Sequence, residues 1–143
     1  MNRKEFLKIC GGTCAGFVAM PVFLQGCGGG LYYVEGNILN NRIQVNKSDF
    51  LIGNKFREQI IVKFESSAFP IVLYRFSESE YSALLLQCSH KGTELNVYGD
   101  LLTCNAHGSE FNNKGNVLTG PADSPLISFP VTTDAKHIYI QLD

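Results

Sequence analysis

Two short pairs of metal-binding side chains stand out in this sequence. Cys88 and His90 form a C-x-H pair, and Cys104 and His107 form a C-x-x-H pair. Thiolate is a soft ligand and imidazole a borderline one. Two such pairs, delivered from two loops, make a metal centre. The chain has five Cys and three His. Cys10, Cys14 and Cys27 lie near the N-terminus, so beyond them only Cys88 and Cys104 remain, each beside a His. Two chemistries suit this mixed set. A structural zinc takes two Cys and two His in a closed tetrahedron. A binuclear iron–sulfur cluster takes two Cys on one iron and two His on the other. Spacing alone does not separate them.

The flanking residues do. The first loop reads Cys88-Ser89-His90-Lys91-Gly92, the second Cys104-Asn105-Ala106-His107-Gly108-Ser109, and Gly120-Pro121-Ala122 follows with Pro125 and Leu126. From about Leu86 to Leu126 this resembles the Rieske iron–sulfur family, whose loops read roughly C-x-H-x-G and C-x-x-H-G-S before a Gly-Pro-Ala loop. The resemblance implies one 2Fe–2S cluster per chain, with Cys88 and Cys104 on the buried iron and His90 and His107 on the exposed one. It implies an all-β, Rieske-like fold of antiparallel sheets. A base from residues about 31–84 and 128–143 would carry an inserted cluster-binding part, about 85–127, with Pro121 closing the tip as a third loop.

Departures from the family pattern are informative. Quinol-oxidising members carry one extra Cys on each loop, and the two form a disulfide. Thr93 and Ala106 stand there, so no inter-loop disulfide is expected. Those members also place a Tyr two residues after the His-Gly-Ser serine, donating to a cluster-bound sulfur. Phe111 stands there and cannot donate, while Ser109 is kept and can bond a bridging sulfide. Hydrogen bonds to sulfur raise a cluster's potential, so the lower half of the roughly −150 to +300 mV range is expected. Lys91 follows the first His where an apolar residue is usual. A charged ammonium desolvates poorly in a quinone pocket, which favours a protein partner at the tip. The 13 residues between His90 and Cys104 are fewer than the family pattern suggests and imply a tight hairpin.

The elements that must position these loops read as strands. Arg42 to Val45 alternates like a half-buried strand, and Gln59 to Phe64 and Ile71 to Tyr74 are rich in Ile, Val and Leu. Tyr81 to Gln87 delivers Cys88 to its loop. Leu95 to Thr103 reads as a hairpin turning at Gly99-Asp100, and Phe111 to Leu118 as another turning near Asn113-Lys114-Gly115. Ile127 to Thr132 and His137 to Leu142 close the domain. Asp49 to Lys55 holds one helical turn at most. Tyr and Phe side chains are expected in the core. His137 reads as a strand-end histidine and Glu110 as a solvated carboxylate.

Residues 1–26 read as an export signal rather than fold. Arg3, Lys4 and Lys8 make a basic start, and Ile9 to Val34 carries no charge. Ile9 to Leu24 would span roughly 24 Å as helix at 1.5 Å per residue, short of a bilayer core of about 30 Å. Asn2 to Lys8 resembles a twin-arginine signal with Lys4 in the second Arg place. That route exports folded proteins with cofactors in place. Leu24-Gln25-Gly26-Cys27 resembles a bacterial lipobox, which implies cleavage before Cys27 and lipid on its sulfur. Several acyl chains anchor stably where one does not. Cys10 and Cys14 would leave with the signal, and Gly28-Gly29-Gly30 would be a tether. The competing expectation is an uncleaved anchor helix.

The chain has 143 residues, enough for one domain (27–143) after the signal, and a formal net charge of −1. That charge leaves no basic footprint for nucleic acid. Without Arg3, Lys4, Lys8 and Glu5, the 12 basic and 13 acidic residues become 9 and 12. No phosphate loop, acid–base carboxylate pair or facial iron triad is evident, so no catalytic residue is named and no small-molecule substrate is evident. The expectation is an exported electron carrier, lipid-anchored at Cys27 and facing periplasm or cell exterior, with redox-protein donor and acceptor. The alternatives are an iron–sulfur subunit of a larger oxidoreductase and a zinc-stabilised β module that only binds.

Overall fold

The computed structural model describes residues 30–143. The expected export signal and Cys27 lie outside the described residues. The chain is all-β. Its strands are, in order, β1 (Tyr33–Glu35), β2 (Asn37–Leu39), β3 (Arg42–Asn46), β4 (Leu51–Ile52), β5 (Lys55–Phe56), β6 (Gln59–Lys63), β7 (Ile71–Arg75) and β8 (Tyr81–Leu85). There follow β9 (Asn96–Tyr98), β10 (Leu101–Thr103), β11 (Glu110–Asn112), β12 (Val117–Thr119), β13 (Ser128–Phe129), β14 (Val131–Thr133) and β15 (His137–Gln141).

Three layers result. The middle sheet has the order β1-β6-β7-β8-β13, one outer sheet β14-β15-β3-β2, and the other β12-β11-β10-β9. Side chains alternate across the middle sheet, and both of its faces are covered. Ile60, Val62, Ile71, Leu73, Ala83 and Leu85 meet Ile43, Val45, Phe50, Ile138 and Ile140 on one side. Ile61, Val72, Tyr74, Leu84 and Leu86 meet Val97, Leu102, Phe111 and both cysteines on the other. Two-sided burial explains why β6 and β7 are unbroken apolar runs, whereas β3, with one face in water, alternates. Tyr74 ties the layers together: its buried hydroxyl donates to the Gly99 carbonyl at 2.8 Å, at the turn between β9 and β10. Burial, with Asp100 nearby, pushes the Tyr74 phenol well above its usual range.

Four local expectations are corrected. β1 pairs with β6 in parallel, while every other strand pair is antiparallel. The helical turn forms earlier, as a 3-10 turn at Lys47–Phe50, and Leu51 to Phe56 turns back as the two-stranded β4–β5 hairpin. Strand β8 ends at Leu85, two residues short of Gln87. The aromatic side chains divide. Phe50, Tyr74 and Phe111 are core, but Tyr32, Tyr33, Phe56, Phe76 and Tyr98 are exposed. Cations explain much of the difference, because they cover aromatic faces in water. Arg57 lies 4.0 Å from the Tyr32 ring centre, Arg75 4.0 Å from Phe56 and Lys63 4.7 Å from Tyr33.

Candidate metal centre

The middle sheet and its β9–β12 cover deliver three loops to one end. The first leaves β8 and holds Cys88, His90 and Lys91. Its backbone closes twice on Cys88: Cys88 N donates to Thr93 O at 2.8 Å, and Gly92 N donates to Cys88 O at 2.8 Å. The second joins β10 to β11 and holds Cys104, His107 and Ser109. It closes in the same pattern, Cys104 N to Ser109 O at 2.8 Å and Gly108 N to Cys104 O at 2.9 Å. Each closure needs left-handed backbone at its glycine, φ +73° at Gly92 and +84° at Gly108, which explains why glycine stands four residues after each cysteine. The two loops are therefore one turn used twice, with the Cys-to-Gly spacing as the one feature of sequence they share.

Burial separates the ligand types. Cys88 and Cys104 are 2% and 1% exposed and enter the core beside Phe111, Leu102 and Ala122. His90 is half-buried and His107 exposed. Their ring centres lie 4.8 Å apart with planes at 86°. His90 Nδ1 is buried and has no hydrogen-bond partner. Such an atom is costly unless something satisfies it. Both sulfurs are free thiols.

A third loop, Gly120 to Pro125, is clamped to both others. Ala122 N donates to Ser109 Oγ at 3.0 Å in a buried setting. Ser89 Oγ donates to Ser124 O at 2.6 Å. Ser89 carries no sequence signal of this role beyond its place between Cys88 and His90. Ser109 is the one buried polar side chain among the described residues, and Phe111 is wholly buried behind it. Pro121 and Lys91 are exposed at the same end. Glu110 is half-buried and accepts from Thr119 Oγ1 at 2.9 Å, so it points along the sheet edge. His137 opens β15 on the far side and caps a turn with Asp134.

Residues 46–130 match the family described as the Rieske [2Fe-2S] domain. No curated protein matches the sequence. Among solved structures, the chain is similar to one from the complex of reduced oxygenase and oxidized ferredoxin in carbazole 1,9a-dioxygenase. The identity is 24% and the TM-score 0.53, over 72% of this chain and 94% of that one. It is similar to a quaternary ammonium Rieske monooxygenase in its apo form, at 20% identity and TM-score 0.55, over 72% of this chain and 33% of that one. A cyanobacterial plasma membrane Rieske protein from Synechocystis shows 23% identity and TM-score 0.49, over 59% of this chain and 86% of that one. The first two likenesses show a shared fold. Among the described residues no helix is long and apolar enough to cross a membrane.

Proposed function

The chain belongs to the Rieske [2Fe-2S] domain family, and from that premise we propose that it is a one-electron carrier tethered outside a membrane. A bound 2Fe–2S cluster supplies one-electron transfer. Cys88 and Cys104 would hold one iron as thiolates, and His90 and His107 the other as imidazoles. The residues fit the group: two buried free thiols, two adjoining imidazoles and a buried His90 Nδ1 without a partner. The observation that carries the reading is the repeated loop closure, which turns a Cys and a His from each loop to the same end.

The chain's own residues supply position and tuning. Three interlocked loops hold the ligands with little freedom, so little reorganisation accompanies a change of charge. His90 and His107, the half-buried and exposed rings at this end, would form the electron port. Ser109 accepts from Ala122 N, and its proton is the donor we assign to cluster sulfide. Phe111 offers no donor, and the loops carry no disulfide between positions 93 and 106. The missing donor at Phe111 would put the potential in the lower half of the roughly −150 to +300 mV range. Lys91 beside the port suits a redox-protein donor and acceptor. We assign residues 1–26 to an export signal, 27–143 to the Rieske domain with its cluster-binding part at about 85–127, and Cys27 to lipid attachment.

Metal analysis and a visible spectrum test this reading on the purified protein. Two irons per chain with equal acid-labile sulfide, and a red-brown colour bleached by reductant, are expected. A colourless protein with one zinc per chain, from cells that build clusters, would overturn it.

A further inference from the structure

The β4–β5 hairpin carries exposed apolar side chains that neither core cluster uses. Leu51 and Phe56 face each other across its two strands. Both are exposed, and Ile52 at the tip is 55% exposed. Arg75 lies over one face of Phe56, but a two-residue ribbon has little reason of its own to hold Leu51 and Ile52 in water beside it.

We infer that this hairpin rests in the headgroup layer of the membrane to which Cys27 would tether the chain, with Leu51, Ile52 and Phe56 inserted. The inference depends on the tether reading and adds an orientation to it.

Three observations point to a bilayer as the occupant. The first is where the described chain starts. Strand β1 runs parallel to β6 with Tyr33 beside Ile61, and Ile61 N donates to Tyr32 O. Leu31 and Gly30 therefore leave the sheet at its Gln59 end, just past the hairpin. Arg57 joins the two, donating to Leu51 O while its guanidinium stacks on the Tyr32 ring. Only three peptide links separate Gly30 from Cys27, a reach of at most about 11 Å. A lipid on Cys27 would hold this end at the membrane.

The second is charge. A groove of about 490 Å³ runs behind the tip, walled by Leu51, Phe56 and Tyr81. Lys47, Arg75 and Lys136 line it against a single carboxylate, Glu78. Arg75 lies across the Phe56 ring. Long cations beside an apolar tip can reach lipid phosphates while their stems stay with the apolar surface. Tyr32 and Tyr33 add the aromatic side chains favoured at a water–lipid boundary.

The third is the position of the metal centre. Tyr81 packs on Phe50, next to the hairpin, with ring centres 5.8 Å apart. From Tyr81 strand β8 runs to Leu85, about 14 Å at about 3.4 Å per residue, and Cys88 lies three residues beyond that far end. A hairpin seated on the membrane would leave His90 and His107 pointing away from it, open to a soluble partner.

The chain has no Trp, so a single introduced Trp reports alone. The full chain would be isolated with its lipid and placed in phosphatidylethanolamine–phosphatidylglycerol vesicles, plain or with brominated acyl chains. Ile52→Trp should lose most of its emission in brominated vesicles relative to plain ones, and Phe56→Trp should follow it. Leu118→Trp, on exposed β12, should give equal emission in both. The ratio removes any quenching by the cluster itself. If the chain floats with the vesicles but Ile52→Trp and Phe56→Trp emit equally in both, the tether stands and the inference falls. Blue-shifted emission without bromine quenching would mean that protein covers the hairpin, and would also overturn it. If the unsubstituted chain carries no lipid and does not float, the tether reading itself fails, and the orientation fails with it.

Discussion

Ser109→Ala tests the clamp between the second and third loops. The hydroxyl is fully buried and accepts the Ala122 N–H at 3.0 Å. Alanine removes the acceptor and leaves that N–H buried without a partner, at a cost of about 1–3 kcal/mol. The Ser109 backbone carbonyl still accepts from Cys104 N, so the turn itself survives. With a urea slope of about 1–3 kcal/mol per molar, a loss near the middle of that range lowers the midpoint by about 1 M. A bound cofactor breaks strict two-state behaviour, so midpoints are compared directly, followed by visible bleaching and far-UV circular dichroism on the same samples. The proton assigned to cluster sulfide adds a second readout. One electron couples at 59 mV per tenfold change, so a differential loss of about 1 kcal/mol lowers the potential by about 40 mV. An unchanged midpoint would refute the clamp. A lowered midpoint with an unchanged potential would refute the sulfide bond and leave Ser109 as an anchor of the loop alone.

Phe111→Tyr restores a donor beside the buried cysteines and should raise the potential by on the order of 60 mV, the equivalent of about 1.4 kcal/mol; voltammetry showing no rise would count against the stated reason for a low potential. Gly115→Ala forces a side chain into φ +83° and brings its Cβ to 2.9 Å from Leu84 Cδ2. Strain and overpacking together should cost on the order of 2–3 kcal/mol and lower Tm by on the order of 10 °C, with an unshifted melt as the contrary result. The Asp134 carboxylate is held well below the usual carboxylate range by the backbone N–H groups of Lys136 and His137, then by the Tyr139 hydroxyl. A depressed folded pKa gives stability that is complete above about pH 3.9, the unfolded value, and is lost as pH falls below it. The stability gap between the protein and Asp134→Ala should therefore narrow from pH 5 to pH 2 in thermal melts; a constant gap would mean that the carboxylate acts by shape and not by charge.

Much of the fold was legible because short strands leave strong local marks. The alternation in Arg42 to Val45 and the Gly99-Asp100 turn are local events, decided within a few residues. The parallel β1–β6 pair was not legible, since strand direction depends on which distant segment supplies the partner. The exposed aromatics were misjudged for a similar reason. Phe56 and Phe111 look alike in sequence. Only the folded chain puts Arg75 over one and the cysteines beside the other.

The sequence by itself determined which groups can do chemistry here. Two Cys–His pairs, each with a glycine four residues after its cysteine, restrict the options to a few metal centres, because ligand type and turn geometry are properties of the residues themselves. Tertiary structure decided the rest. It turned two unlike segments into one repeated turn, set His90 and His107 edge to face, and buried Ser109 where the third loop needs an acceptor. It also put the apolar hairpin at the end of the sheet where the N-terminal segment emerges. Those relations join residues far apart in the chain, and only packing three layers around a sheet buried on both faces brings them together.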